Sequence, residues 1–347
     1  MNDLESLKWI DVMESVFDRY GFDDGNGGIT ARIPLNIAEN ISDGVRGAAG
    51  YSAGCRIRFK TDSHRICLRV SYGAGMPETM SETARIRRGF TLYKQNNGTD
   101  MPVYVYCPQI DNKSNEFEEM YVCDEITEPI EYTLVFPCFS QIEECKIGID
   151  DNSALENGRK YINDNPVIFY GSSITHGCAA SNSGNTYEQM ISRKYNMDYV
   201  NLGFAGNAKG ETEMAGYISG RQMCAFVCDY DHNAPDIVHL MKTYPIMYEA
   251  VRKKHPNIPY IMISKPDILA GTRENRKNNR DRRDFIKDFC EKAKESGDAN
   301  VYFIDGETFF PPEHNLCCTV DLCHPNDLGF AYMADKIGSL LAKVLKW

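Results

Sequence analysis

The chain has 347 residues, a formal net charge of −11 and an apolar content of 42%. The excess of acidic side chains argues against nucleic acid and anionic membranes as partners, because both are bound largely through Lys and Arg. The length exceeds that of one average domain, and the apolar content is ample for two cores.

The beginning of the chain lacks the basic segment and apolar stretch of a signal peptide, and no apolar run reaches transmembrane length. We therefore expect a cytoplasmic protein. The 13 cysteines are odd in number in a long chain, which favours reduced, mostly buried thiols over a disulfide framework. A zinc site at Cys317, Cys318, Cys323 and His324 is disfavoured, because these residues contain no CxxC pair.

The first 150 residues are typical of short strands separated by turns. Strict alternation over residues 55–60, followed by a polar turn and the half-apolar run 66–70, predicts an antiparallel hairpin. Asn97-Gly98 between the runs 89–93 and 103–106 predicts a second hairpin. The runs 132–136 and 145–149 extend the pattern. This half is therefore predicted to form a β-sandwich of the jelly-roll kind.

From Pro166 onward, short apolar strands alternate with amphipathic helices, which is typical of a parallel sheet covered on both faces. The strand candidates are 167–170, 199–204, 224–228, 260–264 and 301–304, and the helix candidates between them are 188–195, 241–254 and 283–294. A last helix follows Asn326, a candidate N-cap, and the basic stretch 273–283 is interpreted as the solvated lead into a helix. We place the domains at residues 1–155 and 156–347.

Two segments carry the candidate chemistry. Residues 170–177, Tyr-Gly-Ser-Ser-Ile-Thr-His-Gly, follow the first parallel strand, and residues 321–324, Asp-Leu-Cys-His, precede the last helix. Ser173 would supply a nucleophile, His324 a base and Asp321 a carboxylate that orients the base. Together they indicate ester or acyl-transfer chemistry.

The candidate residues all follow strands of the predicted parallel sheet. Ser173 follows the first strand, Gly206 the second, Asn233 the third, and Asp321 with His324 the fifth. Ligands bind where the strands of such a sheet end, because the loops converge there.

Each motif has an ordinary structural interpretation when it is considered alone. Ser173 could cap a helix, His324 could be a buried histidine with satisfied hydrogen bonds, and Gly206 could be a turn residue. Asp229, Asp231 and His232, in the segment that contains Asn233, could form a polar turn or a metal site, although no second ligand cluster accompanies them. Pro325 disfavours helical geometry at the preceding histidine, which favours a loop position and a catalytic role.

Taken together, these segments resemble the SGNH (GDSL-like) hydrolase family. The match consists of Gly171-Ser172-Ser173-Ile174 for the first block, Gly206 for the second, Asn233 for the third and Asp321-x-x-His324 for the last. Ser172 stands where the family usually has aspartate, and the third block reads Asp231-His232-Asn233-Ala234 instead of Gly-x-Asn-Asp. The first half is similar to the β-sandwich that precedes the hydrolase domain in one branch of the family, whose members are described as carbohydrate esterases.

The resemblance implies a flavodoxin-like three-layer α/β/α domain with a five-stranded parallel sheet. It also implies that Ser173 attacks an ester carbonyl, that His324 moves the proton and that Asp321 orients His324. The backbone amides of Ser173 and Gly206 and the side-chain amide of Asn233 would form the oxyanion hole. This chemistry needs no metal and no organic cofactor.

The expected substrate is a small-molecule ester, with acetate on a sugar favoured by the resemblance. Ser172, Asp231 and His232 are further candidates for the pocket wall. Three alternatives stay open at this point: an acyltransferase with the same residues, a non-catalytic carbohydrate-binding protein on a hydrolase scaffold, and an N-terminal half that is an independent sugar-binding module. The sequence does not specify the oligomeric state.

Overall fold

The computed structural model describes residues 6–23, 31–75, 82–109, 114–123, 126–266 and 273–347. The first half of the chain forms two antiparallel sheets with three short helices, and the second half forms one parallel sheet with helices on both faces. The predicted fold class is therefore confirmed: a β-sandwich precedes a three-layer α/β/α domain.

The N-terminal sheets face each other across an apolar core. Their strands are β1 (Leu7–Asp11), β2 (Asp18–Tyr20), β3 (Arg56–Thr61), β4 (Arg65–Gly75), β5 (Phe90–Asn96), β6 (Thr99–Tyr106), β7 (Glu116–Val122), β8 (Ile130–Val135), β9 (Ser140–Asp150) and β10 (Leu155–Asn157). One sheet has the order β1-β9-β4-β7, and the other has the order β10-β3-β8-β5-β6 with β2 beside β3. The helices are α1 (Leu35–Ala38), α2 (Asp43–Ala49) and α3 (Ala84–Arg88). Alternating side chains such as Ile57, Leu68 and Leu134 fill the space between the sheets.

One of the two predicted hairpins is confirmed. Strands β5 and β6 pair in antiparallel fashion around Asn97 and Gly98, whose φ angles of 48° and 84° are those of a tight hairpin turn. The other hairpin prediction is wrong, since β3 and β4 belong to different sheets. Both strands present an apolar face to the same core, and alternation of this kind is compatible with adjacent and with facing strands.

The C-terminal sheet contains the five predicted strands. They are β11 (Val167–Gly171), β12 (Tyr199–Gly203), β13 (Ala225–Asp229), β14 (Tyr260–Ile263) and β15 (Val301–Ile304), in the order β12-β11-β13-β14-β15. All neighbours are parallel. This is the flavodoxin-like order, in which ligands bind outside the carboxyl ends of the strands near the point where the order reverses.

Helices cover both faces of this sheet. They are α4 (Ser173–His176), α5 (Tyr187–Tyr195), α6 (Thr212–Gly220), α7 (Ile237–Lys254), α8 (Arg273–Glu295) and α9 (Asp327–Leu345). Residues of α6, α7 and α8 pack in one core, and residues of α5 and α9 pack in the core on the opposite face. The predicted N-cap is confirmed, because the Asn326 side chain accepts hydrogen bonds from the amides of Leu328 and Gly329.

Three features of the helices differ from the sequence expectation. Helix α6 was not predicted, and α7 begins four residues earlier than expected because Asp236 caps it. The basic stretch 273–283 is not a lead into a helix but the first three turns of α8. The helical period is hard to recognise there, because most residues of these turns are charged or polar and exposed, and the buried one, Arg282, is also charged.

The two halves share their cores. Val45, Ala48 and Tyr51 pack in the same cluster as strand β12, and Phe139 packs on the opposite face of the parallel sheet. Arg32 is fully buried between the halves, and its guanidinium donates hydrogen bonds to the carbonyls of Tyr51, Ala48, Asn201 and Gly203 over 2.7–3.1 Å. The N-terminal half is therefore packed against the parallel-sheet domain as a fixed structural partner.

Two further observations concern the chain as a whole. The cysteines are present as thiols, and nine of the 13 are buried, in agreement with the sequence prediction. Among the described residues, no helix combines the length and the apolar character that crossing a membrane requires.

Candidate active site

The loop after β11 brings Ser173 to the edge of the sheet. Ser172 is the N-cap of α4 and accepts a hydrogen bond from the amide of Ile174 at 3.1 Å, so Ser172 has the capping role and Ser173 is the first residue of the helix. A Cβ atom on Gly171 would lie 2.0 Å from Thr175 Oγ1 and 2.5 Å from the carbonyl oxygen of Asp229. Glycine at position 171 therefore allows the abrupt change from strand to helix that presents Ser173.

Ser173, His324 and Asp321 form one hydrogen-bonded chain. Ser173 Oγ lies 2.9 Å from His324 Nε2, and His324 Nδ1 lies 2.7 Å from Asp321 Oδ2. The remaining carboxylate oxygen, Oδ1, accepts the backbone amides of His324 at 2.7 Å and Cys323 at 3.0 Å. The arrangement matches what a serine nucleophile needs: a base within reach of the hydroxyl and a carboxylate that fixes the tautomer of the base.

A tight turn holds the Asp321 carboxylate. Partial burial alone would raise the pKa of Asp321, but the hydrogen bonds from the amide and ring of His324 outweigh it and hold the pKa below its usual value. Leu322 lies within this turn at φ +64°, a left-handed conformation that is rare for a bulky residue. The acid is therefore ionised at neutral pH and points at the imidazole.

The candidate oxyanion donors follow β11 and the two strands that flank it, β12 and β13. The Ser173 amide is the first N–H of α4, so it has no partner within the helix. Gly206 lies in the turn after β12 with φ +72° and an exposed backbone. Asn233 lies in the 3-10 turn Asp231–Asn233 after β13, and its Oδ1 accepts the amide of Ala208 at 3.4 Å. That bond leaves Nδ2 as the end of the Asn233 amide that donates.

A second hydrogen-bonded chain lies beside the first. Ser172 Oγ is hydrogen-bonded to His232 Nε2, and His232 Nδ1 lies 2.8 Å from Asp231 Oδ1. The His232 side chain is 8% exposed, while Asp231 and Ser172 are essentially inaccessible. Burial lowers the pKa of His232, so its ring is neutral at neutral pH. Ser172 and Asp231 are therefore buried and do not line a pocket that a ligand could enter.

Arg282 is a site residue that the sequence analysis missed. It is buried on α8, and its guanidinium donates to the backbone carbonyls of Asp231 and, at 2.8 Å, Ala234. It therefore holds the 3-10 turn that carries His232 and Asn233. One signal was available: Arg282 has helical spacing with Ile286 and Cys290, which are also buried.

His176 is a second residue that was missed. It is fully buried, its Nε2 lies 2.9 Å from the carbonyl oxygen of Cys138, and its Nδ1 accepts the amide of Ala205 at 3.3 Å. Burial and the nearby Arg32 hold the pKa of His176 well below its usual value, so the ring is neutral. His176 thus connects helix α4, the N-terminal half and the turn that contains Gly206.

Asp229, Asp231 and His232 are the group in the described chain whose donor atoms could hold a metal, since these atoms lie within 4.8 Å of one another. Both nitrogens of His232 already take part in hydrogen bonds, to Ser172 and Asp231. Burial raises the pKa of Asp229 well above its usual value, which disfavours the charged form that would bind a cation. Asp229 is held separately, because its Oδ2 accepts the hydroxyl of Thr175 at 3.2 Å.

A parallel sheet with a Ser-His-Asp chain at the carboxyl ends of its strands defines a serine hydrolase architecture. Residues 164–342 match the GDSL-like Lipase/Acylhydrolase family, and residues 7–155 match the GxDLY region, described as the N-terminus of Esterase_SGNH_hydro-type. The first match covers more than half of the chain, so the chain belongs to this family and is an esterase or acylhydrolase. The predicted resemblance is confirmed.

Solved structures with the same fold span nearly the whole chain. A candidate GDSL-like lipase from Bacteroides ovatus ATCC 8483 is 26% identical, with a TM-score of 0.87 and 98% of each chain covered. The salicylyl-acyltransferase SsfX3 from a tetracycline biosynthetic pathway is 18% identical, with a TM-score of 0.78, 99% of this chain and 97% of that chain covered. A family two carbohydrate esterase from Clostridium thermocellum, in complex with cellohexaose, is 16% identical, with a TM-score of 0.62, 85% and 94% covered. No curated protein matches the sequence.

Proposed function

We propose that this protein is a serine esterase that hydrolyses small acyl esters, with acetyl groups on carbohydrate favoured, through a covalent acyl-enzyme. The observation that carries the proposal is the continuous chain from Ser173 Oγ through the His324 ring to Asp321, with bonds of 2.9 and 2.7 Å. A serine hydroxyl in this setting is activated for attack on a carbonyl.

In the first half of the reaction, Ser173 Oγ attacks the ester carbonyl carbon while His324 Nε2 takes the hydroxyl proton. The tetrahedral intermediate collapses, and His324 delivers the proton to the departing alcohol oxygen, leaving the acyl group on Ser173. In the second half, a water molecule attacks the acyl carbonyl carbon and gives a proton to His324 Nε2. The second tetrahedral intermediate then collapses, His324 returns the proton to Ser173 Oγ, and the acid is released. Asp321 accepts the Nδ1 proton of His324 throughout, so that Nε2 faces Ser173 in both halves of the reaction.

The negative charge of the intermediate is assigned to three donors: the amides of Ser173 and Gly206 and the side-chain amide of Asn233. Each comes from a different strand end, and the Asn233 amide is oriented by its bond to Ala208. Donors fixed before the reaction begins stabilise developing charge without a cost of reorganisation.

Hydrolysis is favoured over acyl transfer by the accessibility of the base. The His324 side chain is 22% exposed and that of Asp321 is 38% exposed, so water reaches the residues that would activate it. A transferase has to protect its acyl-enzyme from water. Acyl transfer stays the second candidate, because the salicylyl-acyltransferase shares the fold over the full chain.

A carbohydrate alcohol is favoured over a lipid one by the relation to carbohydrate esterases, one of which is bound to cellohexaose. An independent sugar-binding role for the N-terminal half is disfavoured by the shared cores and by the buried Arg32 at the junction. An inactive binding protein is disfavoured by the complete Ser-His-Asp chain. A cytoplasmic location and the boundary after residue 155 stay predictions.

The proposal is tested by measuring hydrolysis of p-nitrophenyl acetate and of acetylated xylose and glucose, with wild type beside Ser173→Ala. Wild type is expected to release acetate, and the variant is expected to lose nearly all turnover while its unfolding midpoint is unchanged. Addition of an alcohol acceptor in the same assay separates hydrolysis from transfer. Equal activity in the two proteins would contradict the assignment of the nucleophile, and an acylated acceptor in excess of free acetate would favour the transferase.

A further inference from the structure

Two of the positions that depart from the usual family pattern, one on either side of the site, contact the same histidine. Ser172 stands where the family usually has aspartate, and Asp231 stands where it has glycine. In the structure Ser172 Oγ is hydrogen-bonded to His232 Nε2, and Asp231 Oδ1 to His232 Nδ1. The carboxylate absent from position 172 is thus present at the opposite side of the imidazole.

The proton positions in this chain follow from its partners. Asp231 Oδ2 accepts the Lys265 amide at 3.1 Å, and Asp231 Oδ1 faces His232 Nδ1 as an acceptor, so the proton between the ring and Oδ1 is assigned to Nδ1. His232 Nε2 is then an acceptor, and the Ser172 hydroxyl donates to it. The Ser172 oxygen in turn accepts the Ile174 amide at 3.1 Å. Each donor in the chain therefore has an acceptor.

The hydrogen bond between Ser172 and His232 lies next to both proposed reacting groups in the sequence. Ser172 immediately precedes the nucleophile Ser173, and His232 immediately precedes the oxyanion donor Asn233. A hydrogen bond between Ser172 and His232 therefore connects the loop after β11 to the loop after β13 one residue away from each reacting group.

We propose that Ser172, His232 and Asp231 are positioning residues. They hold Ser173 and Asn233 at a fixed separation, so that Ser173 attacks the carbonyl carbon whose oxygen accepts the Asn233 amide. The inference rests on the proposed esterase function and deepens it. Arg282 stabilises this arrangement, because its guanidinium donates to the backbone carbonyls of Asp231 and Ala234, which flank His232 and Asn233. A misplacement of about 1 Å between reacting groups costs about 10²-fold in rate.

The same geometry excludes a second nucleophile. Ser172 has no accessible surface, and its oxygen already caps α4 through the Ile174 amide. An ester therefore reaches Ser173 and not Ser172, although both hydroxyls contact a histidine that is paired with an aspartate.

Two substitutions of one residue separate the Ser172 contact from the Asp231 contact. Asparagine places its amide near the position of Nδ1, so His232→Asn keeps a donor for Asp231 and loses the bond to Ser172. Glutamine places its amide near Nε2, so His232→Gln retains an acceptor for Ser172. We expect His232→Asn to lower kcat by about 10²-fold with KM within about threefold, and His232→Gln to lose at most about fivefold. His255→Gln, at the remote end of α7, is the control and should keep wild-type kinetics.

A double variant tests whether Ser172 and His232 act together. Because both substitutions remove the same bond, Ser172→Ala combined with His232→Asn should be no slower than the slower single variant. Losses that multiply in the double variant, or equal kcat in His232→Asn and His232→Gln, would overturn the proposal. Thermal unfolding midpoints identify any variant that is slow only because it is partly unfolded.

A readout independent of turnover keeps the inference distinct from the esterase proposal. The ¹⁵N chemical shifts of the His324 ring report its contact with the Ser173 hydroxyl, whatever the natural substrate. They should change in His232→Asn and stay as in wild type in His232→Gln. Unchanged His324 shifts in both variants would contradict the positioning role. Wild-type protein that hydrolyses no ester but shows the expected shift pattern would contradict the esterase proposal alone.

Discussion

Replacing Asp321 by asparagine should be more damaging than replacing it by alanine. Asp321 Oδ1 accepts two backbone amides, from Cys323 and His324, so the carbonyl oxygen of an asparagine would occupy that position. The amide nitrogen would then face His324 Nδ1, 2.7 Å away in the wild type, and would donate to it. His324 would be driven into the tautomer that carries its proton on Nε2, and that nitrogen could not accept the proton of Ser173.

The expected loss can be bounded from the structure. The same substitution in a buried Ser-His-Asp triad costs about 10⁴ in kcat, which corresponds to about 5 kcal/mol of transition-state stabilisation. Asp321 is 38% exposed, so water can partly compensate, and we expect a loss of about 10²- to 10⁴-fold. Asp321→Ala leaves room for water at Nδ1 and keeps the productive tautomer accessible, so its loss should be about tenfold smaller.

The assay is kcat for p-nitrophenyl acetate in wild type, Asp321→Asn and Asp321→Ala, with the His324 tautomer read from its ring ¹⁵N shifts. An asparagine variant within about threefold of wild type, or one faster than the alanine variant, would refute the orienting role of Asp321.

Three further predictions concern the oxyanion site, a buried acid and the junction between the halves. Asn233→Ala should lower kcat by about 10²- to 10³-fold with little change in the unfolding midpoint, because it removes one donor to the intermediate; an unchanged kcat would exclude Asn233 from this role. Burial raises the pKa of Glu188 from 4.5 to about 8, so its contribution to stability is fully present below about pH 4.5 and is lost as the pH rises toward 8. Urea unfolding should show wild type losing up to about 1.4 kcal/mol per pH unit in this window relative to Glu188→Gln, and parallel pH profiles would contradict the assignment. Arg32→Met should cost at least about 3 kcal/mol in urea unfolding, because it leaves buried carbonyls of both halves without a donor; a cost below about 1 kcal/mol would show that the junction does not depend on them.

The sheet and the convergence of the candidate site were predictable because they depend on local patterns. Short apolar strands alternating with helices specify a parallel sheet, and the rule that ligands bind at the carboxyl ends places Ser173, Asn233 and His324 at one edge. The loop position of His324 followed from Pro325, which disfavours helical geometry in the residue before it.

The pairing of β3 with β8, and not with β4, could not be read from the sequence, because alternation defines which face of a strand is buried but not which sheet contains it. The early turns of α8 were also hidden. Their surface is charged, and the buried position that reveals the helix, Arg282, is itself a charged residue. Its partners are backbone carbonyls, which leave no trace in the sequence.

The Ser172, His232 and Asp231 chain was only partly predictable. The sequence placed these residues near the site and singled out Ser173 by its place in the first block, but it did not show that Ser172 is buried against His232. The difference between the two serines arises from the start of α4: Ser172 caps the helix and turns inward to His232, while Ser173 begins the helix and turns toward His324.

The central claim is that Ser173 carries the acyl group, and the most direct test is mass spectrometry of protein acid-quenched during turnover of p-nitrophenyl acetate. Peptide fragmentation should locate an acetyl group on Ser173 in wild type and in Ser172→Ala, and no acetyl group in the same peptide of Ser173→Ala. An acetyl group on any other residue that forms and decays at the rate of turnover would contradict the claim.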